Sequence, residues 1–410
     1  MIPSCINDIE NNLTYDFKKN FISLTYSGSS GFLNPIRVKR GICTYTEKSL
    51  LAAKYGVAGL LIYNDGSTPE RYPAASVRVH PDTTFPALSL SYQAGANLMN
   101  AAVNLITNAC VRIIISTTKF PSPVGNICAH TVTGDATQTI VIGSHSDSVP
   151  AGPGINDDGS GSATNLALAT NLARLFQSSS YLPYKYRVKS CWWSAEEVGL
   201  VGSDYHVSQA NHSTTEGEHF SDYLVNLNYD MLGSSSFQIG IYDGNSANFS
   251  TTPSKAIPSS IRLTHLFRDW FIRQNLPYNI SELGGGSDYA SFLAAGIVIS
   301  GLNAGVNDVK TKEQRDYYDR MLGQGKGGIA AMTYNPCYYN FCDSLANINL
   351  LVHYKLTQVA AYLLEYLGRH DDLRPYLYPQ SEIQQLERLL LHKSTRKYNA
   401  QTEFYKKTDL

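Results

Sequence analysis

Short apolar runs alternate along the chain with stretches in which apolar residues return every three or four positions, the marks of buried strands and of helices packed on one side. Residues 36–38 read as a strand and 40–43 as a turn, and residues 47–55 place Leu50, Leu51 and Lys54 on neighbouring helical turns. Gly56 ends that helix. Residues 57–63 form a buried strand, 85–90 a shorter one, and 92–102 a helix. A second unit opens near Val111, with strands predicted at 139–143, 186–193, 223–229, 238–242 and 297–302. Helices fall at 164–175, from 197 to about 207, at 261–273 and at 348–367.

Strands alternating with helices predict an α/β fold, a mostly parallel central sheet flanked by helices, with a smaller α/β unit before it. The expected division is an irregular segment over 1–33, the small unit over 34–110, the large one over 111–368 and a tail over 369–410. The tail carries a helix at 382–393 and is expected to stay solvated. In such sheets the reactive crevice lies beyond the carboxyl ends of the strands, so polar clusters at those ends are the places to look for chemistry.

Composition removes several function classes. The formal net charge is -1 over 410 residues, which leaves no field to recruit nucleic acid or an anionic membrane. No apolar run approaches the ~18 residues of a membrane helix. Of seven cysteines, Cys337 and Cys342 enclose a short loop suited to a disulfide, Cys5 and Cys43 are a second candidate pair, and Cys191 reads as a buried free thiol. Asn12, Asn211, Asn248 and Asn279 stand in glycosylation sequons, which matter in a secretory setting. Residues 1–5 show neither a basic start nor an apolar stretch, so the export signal of a secreted chain is expected to be missing by truncation.

Three polar clusters sit at predicted strand ends. The first is His145-Ser146-Asp147 followed by Gly154-Ile155-Asn156-Asp157-Asp158-Gly159-Ser160-Gly161. A neutral imidazole suits a metal, Asp147 can accept its other N–H, and glycines let a loop carboxylate fold around an ion. A capping turn is the competing reading. The second cluster is Ser194-Ala195-Glu196-Glu197, where one carboxylate can bind a cation while its neighbour stays free as a base; helix N-termini also favour acids electrostatically. The third is Asp230 at the end of Asn226-Leu227-Asn228-Tyr229, a position that also suits a turn.

The stretches GSHSDSVPAGPGINDDGSGSA, WWSAEEVGLVGSDYHV, NLNYDMLGS and GGGSDYASFLAAGI resemble the secreted zinc aminopeptidases of bacteria and fungi, over about 126–368. Residues 34 to about 105 resemble a protease-associated domain through KRGICTY, AAKYGVAGLLIYND and FPALSLS. The resemblance implies two Zn2+ ions, with His145 and Asp230 on one, Asp157 bridging and Glu197 on the other. It implies Glu196 as general base, Tyr338 at the oxyanion, and substrate contacts from Gly285, Gly286, Asp288 and Tyr289. The implied substrate is a peptide or protein with a free amino terminus, the implied state a monomer, and the implied place outside the cell or in a vacuole.

Two positions depart from that pattern. Tyr339 stands where the last zinc ligand of such proteins is a His, in Cys337-Tyr338-Tyr339-Asn340-Phe341-Cys342-Asp343. A phenol ionises near pH 10 and binds zinc well as phenolate, so the second zinc site is weakened, while His145, Asp157 and Asp230 suffice for one. Gly286 stands where many such proteins carry Arg. The competing functional reading is a catalytically silent binding or scaffold protein that keeps the fold.

Overall fold

The computed structural model describes residues 36–40, 45–103 and 123–390, apart from short breaks at 58, 68–70, 76, 78, 81–82 and 248–251. The chain divides into two compact units at Ser122/Pro123.

The first unit holds β1 (Ile36–Lys39), α1 (Tyr45–Lys54), β2 (Leu60–Tyr63), β3 (Ala87–Leu90) and α2 (Tyr92–Val103). Its strands pair in parallel in the order β1-β2-β3. The central strand is buried throughout, and Leu60 and Ile62 pack with Leu51 and Ala52 of α1. Cys43 and Cys5 lie outside the described residues, as do Asn12 and Asn248.

The second unit contains β4 (Ile127–His130), β5 (Asp135–His145), α3 (Gly159–Phe176), β6 (Tyr186–Trp193), α4 (Val201–His212), β7 (Tyr223–Tyr229), β8 (Gly240–Asp243), α5 (Ile257–Arg273), β9 (Asn279–Glu282), α6 (Tyr289–Ala294), β10 (Val298–Asn303), α7 (Lys312–Leu322), α8 (Leu350–Gly368) and α9 (Leu373–Leu377). Its sheet has seven strands in the order β4-β6-β5-β7-β10-β8-β9. The inner strands β6, β5, β7 and β10 run parallel, while β4 and β8 pair antiparallel with β6 and β10. Alternation along β5 explains the layering. Ile140 and Ile142 enter a core with Leu168 of α3 and Leu356 of α8, while Val141 enters another with Trp193 and Phe292.

Three expectations change. Cys191 is not a free thiol: it is bonded to Cys128 across the antiparallel β4–β6 pair, where the two residues are direct partners. Cys337 and Cys342 are joined as the short loop suggested. The helix expected from 197 begins at Val201, so Glu196 and Glu197 lie in the turn before it. The tail is not solvated over its first part. Leu373 and Leu377 are fully buried in the main core, and Glu382 pairs with Arg262 of α5 at 2.6 Å.

Candidate metal centre

The parallel strands β5, β6 and β7 end side by side, and each delivers one polar cluster to the same rim. His145 is the last residue of β5, Asp230 follows β7, and Asp157 sits in the loop that leads into α3. Ligand atoms from these three lie within 4.8 Å of one another. His145 Nε2 is 3.1 Å from Asp157 Oδ1 and 3.7 Å from Asp230 Oδ1. Its Nδ1 faces the main-chain carbonyl of Asp147 at 3.0 Å, with the Asp147 carboxylate farther away at 3.6 Å. That carbonyl, rather than the side chain expected from the sequence, is the closer partner that turns Nε2 towards the two aspartates.

Asp147 instead organises the β6 end. Its two carboxylate oxygens accept the main-chain N–H groups of Glu196 and Glu197 at 3.0 and 3.2 Å. Glu197 Oε2 accepts a hydrogen bond from the Tyr339 hydroxyl. Tyr339 in turn stacks on Tyr338, with ring centroids 3.9 Å apart. Ala195, Met231 and Tyr339 adopt left-handed φ values of 57°, 54° and 57°, each next to a site residue. Such strain persists where the surroundings hold a functional geometry. Of the remaining candidates, Gly286 and Tyr289 line the adjoining cavity, the Gly285 N–H donates to the Tyr289 hydroxyl at 3.0 Å, and Asp288 is buried. Asn211 is exposed on α4, and Asn279 of β9 accepts from the Tyr318 hydroxyl at 2.6 Å.

Two carboxylates that sequence reasoning gave no role hold the centre together. Asp158 is 1% exposed and accepts three main-chain N–H groups, from His145 at 3.1 Å, Gly161 at 2.9 Å and Met231 at 3.0 Å. It thereby ties β5, α3 and the end of β7 together. The one sequence signal was its place as an N-cap before a helix. Gly161 is required here, since a Cβ would meet the Tyr229 carbonyl at 2.1 Å. Asp343 accepts the N–H groups of Asn156 and Asp157 at 3.0 and 3.1 Å, fixing the Asp157 loop from 186 residues away.

The donor set fits a divalent cation on its own chemistry: one imidazole nitrogen and two carboxylates, nearly dry. Among the described residues, Asp230 Oδ1 and Glu197 Oε1 are buried without a hydrogen-bond partner, which is costly unless positive charge compensates them. Burial, reinforced by the charge of Asp230, pushes Glu196 up to about 9. Burial and Asp157 push Glu197 up to about 7, and burial pushes Asp288 up to about 7. Burial opposes protonation of His145, yet the neighbouring carboxylates of Asp147, Asp157 and Asp230 outweigh this and leave it well above its ordinary value.

These shifts predict a pH dependence for the cation-free protein. A glutamate raised from 4.5 to about 9 keeps its proton in the fold after the unfolded chain has lost it, so stability falls as pH climbs through that window. Glu197 and Asp288 add the same sign up to about 7, and the raised His145 adds it above 6.5. Chelator-treated protein should therefore melt lower at about pH 8 than at about pH 5.5, and the gap should narrow in Glu196→Gln. A melting temperature that rises over this interval would contradict the electrostatic picture.

The peptidase family M28 model matches residues 126–364, and the PA domain model matches residues 35–98. The chain is 34% identical over 314 residues to an aminopeptidase of Pseudomonas aeruginosa, covering 76% of this chain and 53% of that protein. It is 32% identical over 343 residues to the probable leucine aminopeptidase 2 of Aspergillus fumigatus, covering 82% and 63% respectively. The chain thus spans between about half and two thirds of the length of these relatives. The solved aminopeptidase from Aneurinibacillus sp. strain AM-1 aligns with a TM-score of 0.49 at 21% identity, over 84% of this chain and 74% of that one. With its strand-end histidine and aspartates inside the matched segment, the chain belongs to peptidase family M28.

Proposed function

We propose that this chain is a zinc-dependent aminopeptidase that hydrolyses the first peptide bond of peptides and proteins. The observation that carries the reading is the convergence of His145, Asp157 and Asp230 within 4.8 Å, with Asp157, Asp230 and Glu196 lining one cavity. Zinc held there would supply a Lewis acid that acidifies water and polarises a carbonyl. Glu196, whose main chain is anchored on Asp147, takes the proton of the attacking water and returns it to the leaving amine. Tyr338, from the loop closed by Cys337–Cys342, donates to the developing oxyanion. The surrounding carboxylates receive the substrate's free ammonium, which restricts cleavage to the amino end. The two disulfides fit an oxidising compartment, extracellular or vacuolar, and among the described residues no helix is long and apolar enough to cross a membrane.

The test is metal content together with turnover. Purified protein should carry zinc and cleave a leucine chromogenic amide, and a chelator should abolish cleavage until zinc is restored. Zinc bound without cleavage of any amino-terminal amide would make the chain a silent scaffold instead.

Tyr339 bears on how many cations bind. Its hydroxyl is engaged with Glu197, and burial raises the phenol above its ordinary value, so it offers a neutral oxygen rather than a phenolate. Tyr339→His is expected to raise zinc content from about one to about two per chain, read by elemental analysis. An unchanged content would remove Tyr339 and Glu197 from the metal assignment.

A further inference from the structure

The cavity beside the metal group measures about 520 Å³, enough for one amino-acid side chain and its backbone. Part of its lining is a polar network drawn from three neighbouring strands of the sheet's far edge. Gln238, just before β8, donates through Nε2 to Ser281 Oγ of β9 at 2.9 Å and to Asn303 Oδ1 of β10 at 2.8 Å. Gly240 makes this closeness possible, because a Cβ there would lie 2.6 Å from Asn303 Oδ1 and 2.8 Å from Ser281 Oγ. Gln238 is 9% exposed, and among the described residues its Oε1 accepts no hydrogen bond. An acceptor held this way at a cavity wall asks for a donor from whatever enters.

Charge points the same way. Beyond Asp157, Glu196 and Asp230, the lining includes the carboxylates Glu282 and Asp308, and among its described residues there is no Lys, Arg or His. The buried cation Lys310 does not reach the cavity: its ammonium donates to the carbonyls of Ser236 and Phe237 and lies over the rings of Phe237 and Tyr318. Met231, Ile280 and Val306 supply apolar wall, which suits the methylene stem of a long side chain with a charged tip.

We propose that this cavity selects an amino-terminal residue with a long, donor-bearing cationic side chain, lysine or arginine, over leucine. The inference rests on the aminopeptidase reading and names its substrate class. A leucine side chain leaves Gln238 Oε1 without a donor, whereas an ammonium or guanidinium satisfies it and meets the two extra carboxylates.

The experiment compares kcat/KM for arginine, lysine and leucine chromogenic amides in the unmodified chain, Gln238→Leu, Gln238→Glu and Asp308→Asn. Calorimetric binding of free L-arginine, L-lysine and L-leucine to the same zinc-loaded proteins runs beside it. The unmodified chain should favour arginine or lysine over leucine by about tenfold or more, the equivalent of one charge-assisted hydrogen bond. Gln238→Leu should erase or reverse that ratio, Asp308→Asn should reduce it, and Gln238→Glu should widen it. Leucine preferred in both assays, or the same ratio in Gln238→Leu and the unmodified chain, overturns the proposal. If no amide is cleaved, the aminopeptidase reading fails, and the binding order decides alone. Arginine or lysine bound more tightly then supports the pocket assignment; leucine bound equally or more tightly, or no binding of any of the three, overturns it.

Discussion

Replacing Glu196 with Gln is expected to slow amide hydrolysis by about 10²- to 10⁴-fold, the range for loss of a positioned general base, while zinc content stays unchanged. The two halves of that expectation separate base from ligand. Glu196 lines the cavity with Asp157 and Asp230 yet is not among the three residues whose ligand atoms converge. Its amide is of nearly the same size, so the turn held by Asp147 persists. In the absence of a cation the side chain is pushed up to about 9 by burial and by Asp230, so it holds a proton readily in this environment. A bound dication favours its ionised form. Turnover and elemental analysis on the same preparation decide the matter. Zinc lost together with activity would make Glu196 a ligand, and full activity would end its role as base.

Asp158→Asn is expected to destabilise the fold by about 1–3 kcal/mol, the cost of leaving a buried donor without its hydrogen-bond partner. Asp158 Oδ1 accepts from Gly161 and Met231, and Oδ2 accepts from His145. Whichever way an asparagine is turned, its NH2 meets at least one main-chain N–H, and a donor faces a donor at a buried position. The same bonds hold together the end of β5, the first turn of α3 and the residue after Asp230, so zinc affinity should fall along with stability. Urea denaturation in the presence of chelator isolates the structural part from the metal's contribution. An unchanged midpoint would show that the three N–H groups do not depend on this side chain.

Local pattern carried much of the fold. β6 spans Tyr186–Trp193, as the apolar run suggests, because strand and helix periods are properties of neighbouring residues. Boundaries were less legible where packing extends an element. α3 starts at Gly159, earlier than residue 164, because Gly161 lies against the Tyr229 carbonyl and Asp158 caps the turn. The opposite occurs at α4, where the turn holding Glu196 and Glu197 is fixed by Asp147, 49 residues before Glu196, so the helix waits until Val201. Motif spacing brought His145, Asp157, Glu196, Glu197 and Asp230 into consideration, since Asp157 sits in a Gly-rich loop before a helix and the others follow recognisable strands.

What the sequence determined by itself was the set of strands, helices and reactive side chains, because period and residue chemistry are local quantities. Tertiary structure alone decided who meets whom. Cys128 bonds Cys191 because β4 pairs antiparallel beside β6. Leu373 and Leu377 are buried because the main core accepts them. Gln238, Ser281 and Asn303 share one wall because β8 lies between β9 and β10. Each of these contacts depends on strand order, register or the docking of a distant helix, which are set by the packing of whole elements and leave no mark in the residues nearby.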